Sequence, residues 1–173
     1  MHRIFLGLAI TDGTLLLVSF GLGFAANGSV RGPGSWYTVH FLFGLLATMT
    51  TLLVHSIAFT YFLGTGRWVK EVVTIYKLPA WVNAQAVRNK RRAFPFAVLG
   101  MFMVGGTAWL GAGAERLGWP TMLHLSMAAV ALGFTAGAFA VEYAAIVAQA
   151  RLILEVKDQA DRLREAQQAA AGL

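Results

Sequence analysis

Four long apolar stretches limit the fold of this chain more than any other feature. They cover residues 3–25, 37–64, 94–113 and 121–150, and about 20 apolar residues in a helix are enough to cross the hydrocarbon core of a membrane. Charged residues make up only 13% of the chain, whereas an ordinary soluble domain has about 25%. The sequence therefore predicts an all-α integral membrane protein with four transmembrane helices in the lipid bilayer.

Basic residues concentrate in the middle region 66–92 and in the tail after Ala150, while the two outer loops contribute only Arg31 and Arg116. Because Lys and Arg accumulate on the cytoplasmic side of membrane proteins, we expect both termini and the middle loop to be cytoplasmic, in an up-down-up-down bundle of a bacterial inner membrane. An interfacial helix is expected over 78–92. This topology accounts for the net charge of +6 without a nucleic-acid partner, and the absence of cysteine excludes iron–sulfur ligation.

The chain also contains an internal repeat. Identical residues recur at a spacing of 84 positions, among them His40 and His124, Gly21 and Gly105, Arg67 and Arg151, Glu71 and Glu155, and Val72 and Val156. They predict two tandem helical hairpins, about 1–72 and 85–156, related by a pseudo-two-fold axis along the membrane normal. Residues 1–150 would form the transmembrane domain, and 151–173 a cytoplasmic amphipathic helix. Such a bundle places the second and fourth helices on a diagonal.

The repeated histidines are the strongest functional candidates. His40 and His124 each lie about four residues inside the outer end of a helix, so both imidazoles should have the same depth. Ligand sites in helical bundles are built from side chains on facing helices, and imidazole is an axial ligand of haem iron. The spacing therefore predicts one haem b, held by both histidines near the periplasmic face.

A macrocycle also needs space and partners for its carboxylates. Glycines lie near the depth of the histidines and would leave room for the ring: Gly21, Gly23, Gly44 and Gly105. Arg31 and Arg116 in the outer loops would meet the propionates, because a guanidinium matches a carboxylate geometrically. Small residues also allow close helix packing in membranes, and both arginines are equally compatible with plain loop charges.

A second polar group is expected in the inner leaflet. Asp12, His55 and Glu142 fall at similar depth, with Tyr61 and Tyr143 nearby, and ionisable residues inside a membrane usually face the bundle interior. Together they predict a quinone pocket or a proton path. The position that matches His55 in the second repeat is Phe139, so a second bis-histidine haem is not expected.

With His40 and His124 placed in this way, the chain resembles the general class of four-helix membrane b-type cytochromes, in architecture and in those two residues. The resemblance implies an electron-transfer subunit of a larger redox complex, with membrane or periplasmic redox subunits as partners. No catalytic residue is identified, so a complete enzyme is not expected. Two alternatives stay open: a cofactor-free accessory or scaffold subunit of a respiratory or photosynthetic complex, and a chlorophyll-type pigment protein with one histidine per macrocycle.

Overall fold

The computed structural model describes residues 1–29, 32–170 and 172. It contains four α-helices: α1 (His2–Ala26), α2 (Trp36–Tyr76), α3 (Ala80–Arg116) and α4 (Thr121–Ala170). All four are long and apolar enough to cross a membrane. The prediction of an all-helical chain with four potential membrane spans is confirmed.

The helices extend well beyond the apolar spans. The middle region expected to be a loop is helical apart from the short turn 77–79, where Lys77 adopts a left-handed conformation with φ of 52° and caps α2. The segment 78–92 does not form a separate interfacial helix, because α3 begins at Ala80 and continues through Pro95. Hydropathy marks where a helix is apolar enough for lipid, and it does not mark where a helix ends.

Successive helices run antiparallel, and α2 and α4 run parallel through the centre. Each of these two helices contacts both α1 and α3 as well as its central partner. In the described part of the chain, α1 and α3 do not touch one another. They therefore flank the α2–α4 pair on opposite sides.

Apolar packing is concentrated in two regions. One core joins all four helices and includes Phe5, Phe62 and Ile146. The second lies beyond the end of α1, where Val69 of α2, Val82 of α3 and other side chains of these helices and α4 form a three-helix extension. Burial of apolar surface against neighbouring helices explains why the middle region is helical although it is rich in charge.

Buried polar side chains join these two cores. Gln149 donates a hydrogen bond from Nε2 to Thr65 Oγ1 (3.3 Å), and Asn89 donates from Nδ2 to Gln149 Oε1 (3.0 Å). Gln149 is completely buried. Because buried polar groups need partners, this network fixes the register of α2, α3 and α4 where α1 begins.

The outer third of the bundle is different, since few of its described side chains are fully buried. In the described residues, the buried apolar side chains of α2 begin at Ala47, those of α4 begin at Ala131, and those of α3 end at Val104. In α1, no apolar side chain described after Ser19 is buried. The helices therefore approach the outer side without packing an apolar core between them.

The pattern of buried positions repeats along the chain. In α1 the buried positions 5, 9 and 12 correspond to 93, 97 and 100 in α3, a shift of 88. In α2 the buried positions 47, 51, 54 and 55 correspond to 131, 135, 138 and 139 in α4, a shift of 84. The two shifts differ because the connection between the helices is shorter in the second hairpin, 117–120, than in the first, 27–35.

Candidate functional site

The two repeated histidines face each other across the central helix pair. The ring centroids of His40 and His124 are 6.2 Å apart, and their planes are inclined at 70°. Both side chains are partly buried. The expectation that these residues share one depth and point toward one another therefore agrees with the geometry of the bundle.

A backbone carbonyl from a flanking helix holds each ring. His40 Nδ1 lies 3.0 Å from the carbonyl oxygen of Ser19 in α1, and His124 Nδ1 lies 3.0 Å from that of Thr107 in α3. A carbonyl oxygen only accepts, so in the neutral imidazole Nδ1 carries the proton and Nε2 carries a lone pair. No described residue forms a hydrogen bond with Nε2 of either histidine.

Two glycines support these rings: Gly23, which was expected at this depth, and Gly111, which was not predicted. A Cβ atom on Gly23 would lie 3.3 Å from His40 Cε1, and one on Gly111 would lie 3.0 Å from His124 Cε1. Each glycine comes one helical turn after the carbonyl that holds the ring. The sequence signal is the pair Ser19-x-x-x-Gly23 and Thr107-x-x-x-Gly111, which stand 88 positions apart and so escape an alignment at 84.

The predicted glycines differ in whether another side chain lies close to them. A Cβ on Gly44 would lie 3.4 Å from Ser19 Oγ, so Gly44 faces α1 one turn below His40. A Cβ on Gly21 or on Gly105 would meet no atom within 4 Å, and Gly21 is exposed. These two glycines therefore do not receive either histidine ring.

The two arginines expected near the outer surface differ in what can be said of them. Arg116 is exposed in the last turn of α3, at the outer end of the bundle. Arg31 lies outside the described residues. Arg116 therefore places a guanidinium at the same end of the bundle as the histidine pair.

The inner polar layer contains a direct contact. His55 Nδ1 lies 2.8 Å from Glu142 Oε1, and both side chains are completely buried. The other polar atoms of the pair, His55 Nε2 and Glu142 Oε2, are buried without a hydrogen-bond partner in the described part of the chain. Unpaired buried polar atoms are costly, so this pair is a candidate for function.

Asp12 is held separately in the same layer. Thr50 Oγ1 lies 2.5 Å from Oδ1 of Asp12, and Thr51 Oγ1 lies 2.8 Å from Oδ2. Asp12 is 1% exposed. Thr51 precedes His55 by one helical turn, so Asp12 lies next to the His55–Glu142 pair without a hydrogen bond to it among the described residues.

His55 has no room for a metal at Nε2. A Cβ on Gly100 would collide with Nε2 and would lie 2.7 Å from Cε1, so the backbone of α3 covers this nitrogen. The described residues contain no group of three His, Asp or Glu side chains that would hold a metal ion. A haem ligated by His55 does not fit this arrangement.

An apolar cleft of about 230 Å³ opens beside the inner layer, between α1 and α4. Phe139 belongs to its wall and also packs against His55, with ring centroids 5.1 Å apart. The cleft is lined by Phe5, Leu6, Ala9, Ile10, Phe139, Ala140 and Tyr143. Tyr143, expected near the inner layer, therefore lines this cleft.

Comparisons with known proteins do not add a family to these observations. A scan against family models, a search of curated proteins and a search of solved structures each gave no match for this chain.

Proposed function

We propose that the chain is a membrane-anchored b-type cytochrome in which His40 and His124 hold one haem b. The observation that carries this proposal is the facing histidine pair, in which Nδ1 of each ring contacts a backbone carbonyl and Nε2 of each ring makes no hydrogen bond to a described residue. Imidazoles that bind metals generally donate their other ring N–H to a carbonyl or carboxylate. When bound, the haem would supply a one-electron redox centre.

The spacing of the two rings is compatible with a shared metal ion. Metal–imidazole bonds are about 2.0–2.1 Å long, which puts the centres of two rings on opposite sides of one ion about 6 Å apart. The ring centroids of His40 and His124 are 6.2 Å apart.

Residues of this chain would orient and shield such a group. The carbonyls of Ser19 and Thr107 fix the two rings and increase the basicity of Nε2. Gly23 and Gly111 allow the rings to lie against α1 and α3. Arg116, with Arg31, would pair with the propionate carboxylates by the fork of guanidinium donors.

The proposed arrangement is two tandem helical hairpins with a pseudo-two-fold axis along the membrane normal. Three pairs of residues 84 positions apart lie in contact across α2 and α4: His40 and His124, His55 and Phe139, and Thr65 and Gln149. Contact between equivalent positions is what a two-fold axis between two parallel helices requires. The matching burial patterns of the two hairpins support the same axis.

For location, we propose a bacterial inner membrane, with both termini and the three-helix extension in the cytoplasm. The extension includes the basic region 66–92, which the positive-inside rule assigns to the cytoplasm. The histidine pair would then lie near the periplasmic face. Electron exchange there requires other membrane or periplasmic redox subunits, so the chain would serve as an electron-transfer subunit of a larger complex.

We propose quinone as the lipid-soluble redox partner at the inner layer. The α1–α4 cleft has aromatic walls, and Phe139 separates it from the buried His55–Glu142 pair by a single ring. Apolar pockets with a few polar groups are typical of small-molecule sites. Tyr143 supplies a hydroxyl at the edge of the cleft, where a quinone oxygen would need a donor.

The proposed haem predicts a specific absorbance. We expect protein purified from its native membrane to show a b-type band in a reduced-minus-oxidised spectrum, at one haem per chain. The ratio of haem to protein, measured by pyridine haemochrome assay, distinguishes one site from two. A colourless preparation from the native membrane would contradict the proposal and would favour a scaffold subunit.

Gly111→Ala should weaken haem retention. The added methyl group would lie 3.0 Å from His124 Cε1 and would push the ring away from its position. Changes around metal ligands typically cost 10–100-fold in affinity, and we expect about 10-fold here. Transfer of haem to an excess of a haem-scavenging protein measures the loss. Gly137→Ala is the control, because a Cβ there meets nothing within 4 Å; equal transfer rates in the two variants would contradict the role assigned to Gly111.

Ala140→Trp should block the proposed quinone cleft. Ala140 lines the cleft and is exposed, so an indole there would fill the space without entering the core. We expect reduction of the haem by a short-chain quinol to slow several-fold while the haem spectrum is unchanged. Ala136→Trp, one turn away on an exposed position outside the cleft, should leave the rate unaltered. Equal rates in both variants would exclude this cleft as the quinone site.

A further inference from the structure

We propose that Asp12 is a neutral carboxylic acid in the membrane interior and serves as a proton donor and acceptor beside the α1–α4 cleft. The proposal starts from the hydrogen bonds around the carboxyl group. Each of its two oxygens contacts one threonine hydroxyl, Thr50 or Thr51. Each threonine hydroxyl has a single proton, so it cannot donate to the carboxyl oxygen and to its backbone carbonyl at the same time.

The count of protons favours the neutral acid. Thr51 Oγ1 is 2.8 Å from Asp12 Oδ2 and also 2.8 Å from the carbonyl oxygen of Ala47. Thr50 Oγ1 contacts Asp12 Oδ1 and lies 3.0 Å from the carbonyl oxygen of Leu46. A hydroxyl has one proton to donate, and a carbonyl has none. If Asp12 carries a proton, it donates to one threonine, which then donates to its carbonyl.

The charges of the groups around Asp12 also favour the neutral acid. The fully buried titratable groups described in this layer are Asp12 from α1, His55 from α2 and Glu142 from α4, while α3 presents Gly100. In the described structure, no lysine or arginine forms an ion pair with either carboxyl group. Two carboxyl groups and one imidazole are electrically neutral together only when they hold two protons in addition to the N–H of the neutral imidazole. One of these protons belongs to the His55–Glu142 pair, whose Nδ1 and Oε1 atoms are 2.8 Å apart, and we assign the other to Asp12.

A buried ionised carboxylate without a cation would be costly in this setting. The same two threonines also make deprotonation possible for a short time. Each hydroxyl can rotate from its carbonyl to a carboxylate oxygen, so the ionised form would receive two donors. A carboxyl group that is stabilised in both states is suited to releasing and regaining a proton.

The use of this proton rests on the proposed cytochrome function. Ala9 lines the cleft, and Asp12 follows it by three residues, which places both on the buried face of α1. Reduction of a quinone to a quinol takes two electrons, which the proposed haem would supply one at a time, and two protons. Asp12 would supply both protons in turn: each time it would give its proton to a quinone oxygen, become a carboxylate, and recover a proton from the inner aqueous phase.

Infrared spectroscopy of the full-length protein in detergent tests the protonation state directly and needs no haem. At pH 7 we expect an absorption band from the carbonyl stretch of a protonated carboxylic acid, shifted in D₂O. This band should disappear in Asp12→Asn, a substitution of nearly equal shape. Glu71→Gln is the control, because Glu71 forms an ion pair with Arg67 at an exposed position.

Labelling provides a second measurement that does not depend on a variant folding. The chain has three aspartates, and two of them, Asp158 and Asp161, form exposed ion pairs with Arg162 and Lys157. Incorporation of ¹³C-carboxyl aspartate should therefore lower the frequency of the same band. A band that persists in Asp12→Asn, or that does not respond to labelled aspartate, would overturn the proposal. A colourless protein that still shows the labelled band would contradict the cytochrome function and leave the neutral Asp12 in place.

Discussion

Replacement of either His40 or His124 by alanine is expected to remove the b-type absorbance of the purified protein completely. The two rings face one another at 6.2 Å between centroids, so a single iron would depend on both. Each variant would remove one of the two imidazoles proposed to hold the haem iron. We expect haem affinity to fall by more than about 100-fold, which exceeds the usual cost of changes around the ligands. Reduced-minus-oxidised spectra of both variants provide the measurement.

The matched control for these variants is His2→Ala. His2 is the first residue of α1, at the opposite end of that helix from Ser19 and Gly23, so its loss should leave the spectrum unchanged. His40→Ala and His124→Ala should also lose the b-type absorbance to the same extent. If each variant instead kept about half of the pigment, the histidines would bind separate macrocycles, as in the chlorophyll-type alternative.

The histidine pair could be predicted from sequence because the sequence indicates the depth of each histidine in the membrane. Two histidines at the same distance from the outer ends of parallel helices need only helix geometry to be placed at one level. From sequence alone, their orientation toward each other is a hypothesis that rests on the repeat. Contacts between His55 and Phe139 and between Thr65 and Gln149 extend the same register along α2 and α4.

The supporting residues could not be found in the same way. Ser19 and Thr107 act through backbone carbonyls, which leave no mark on residue type. Gly23 and Gly111 are offset by 88 positions, whereas the histidines are offset by 84, because the second outer connection is shorter. A single alignment shift therefore paired Gly21 with Gly105, and these two glycines do not contact the rings.

The inner layer shows a second limit of prediction from the sequence. Depth groups Asp12, His55 and Glu142, but it does not indicate which of them touch. The contact joins residues 87 positions apart, one helical turn beyond the repeat, because Glu142 lies a turn past Phe139 on α4. Gly100 makes this contact possible by giving His55 space against α3, and a glycine in an apolar helix is too common to identify that role from sequence.

Gly100→Ala is expected to destabilise the protein strongly. A Cβ at this position would collide with His55 Nε2 and would lie 2.7 Å from Cε1 and 2.8 Å from Cδ2. The ring cannot easily move aside, since Glu142 holds Nδ1 at 2.8 Å and Phe139 packs against it. Overpacking of a well-packed core typically costs about 1–3 kcal/mol. Rupture of the His55–Glu142 contact would add about 1–3 kcal/mol for each polar group left unpaired.

Gly105→Ala, five residues further along α3, separates this clash from the general effect of alanine in a helix. A Cβ there meets nothing within 4 Å, and alanine is favoured over glycine in a helix by about 1 kcal/mol. We therefore expect the midpoint of thermal unfolding in detergent to rise slightly in Gly105→Ala and to fall by several degrees in Gly100→Ala. Equal midpoints would mean that α3 does not press against His55. In that case Nε2 would have space for a ligand, and the exclusion of a metal from this histidine would no longer stand.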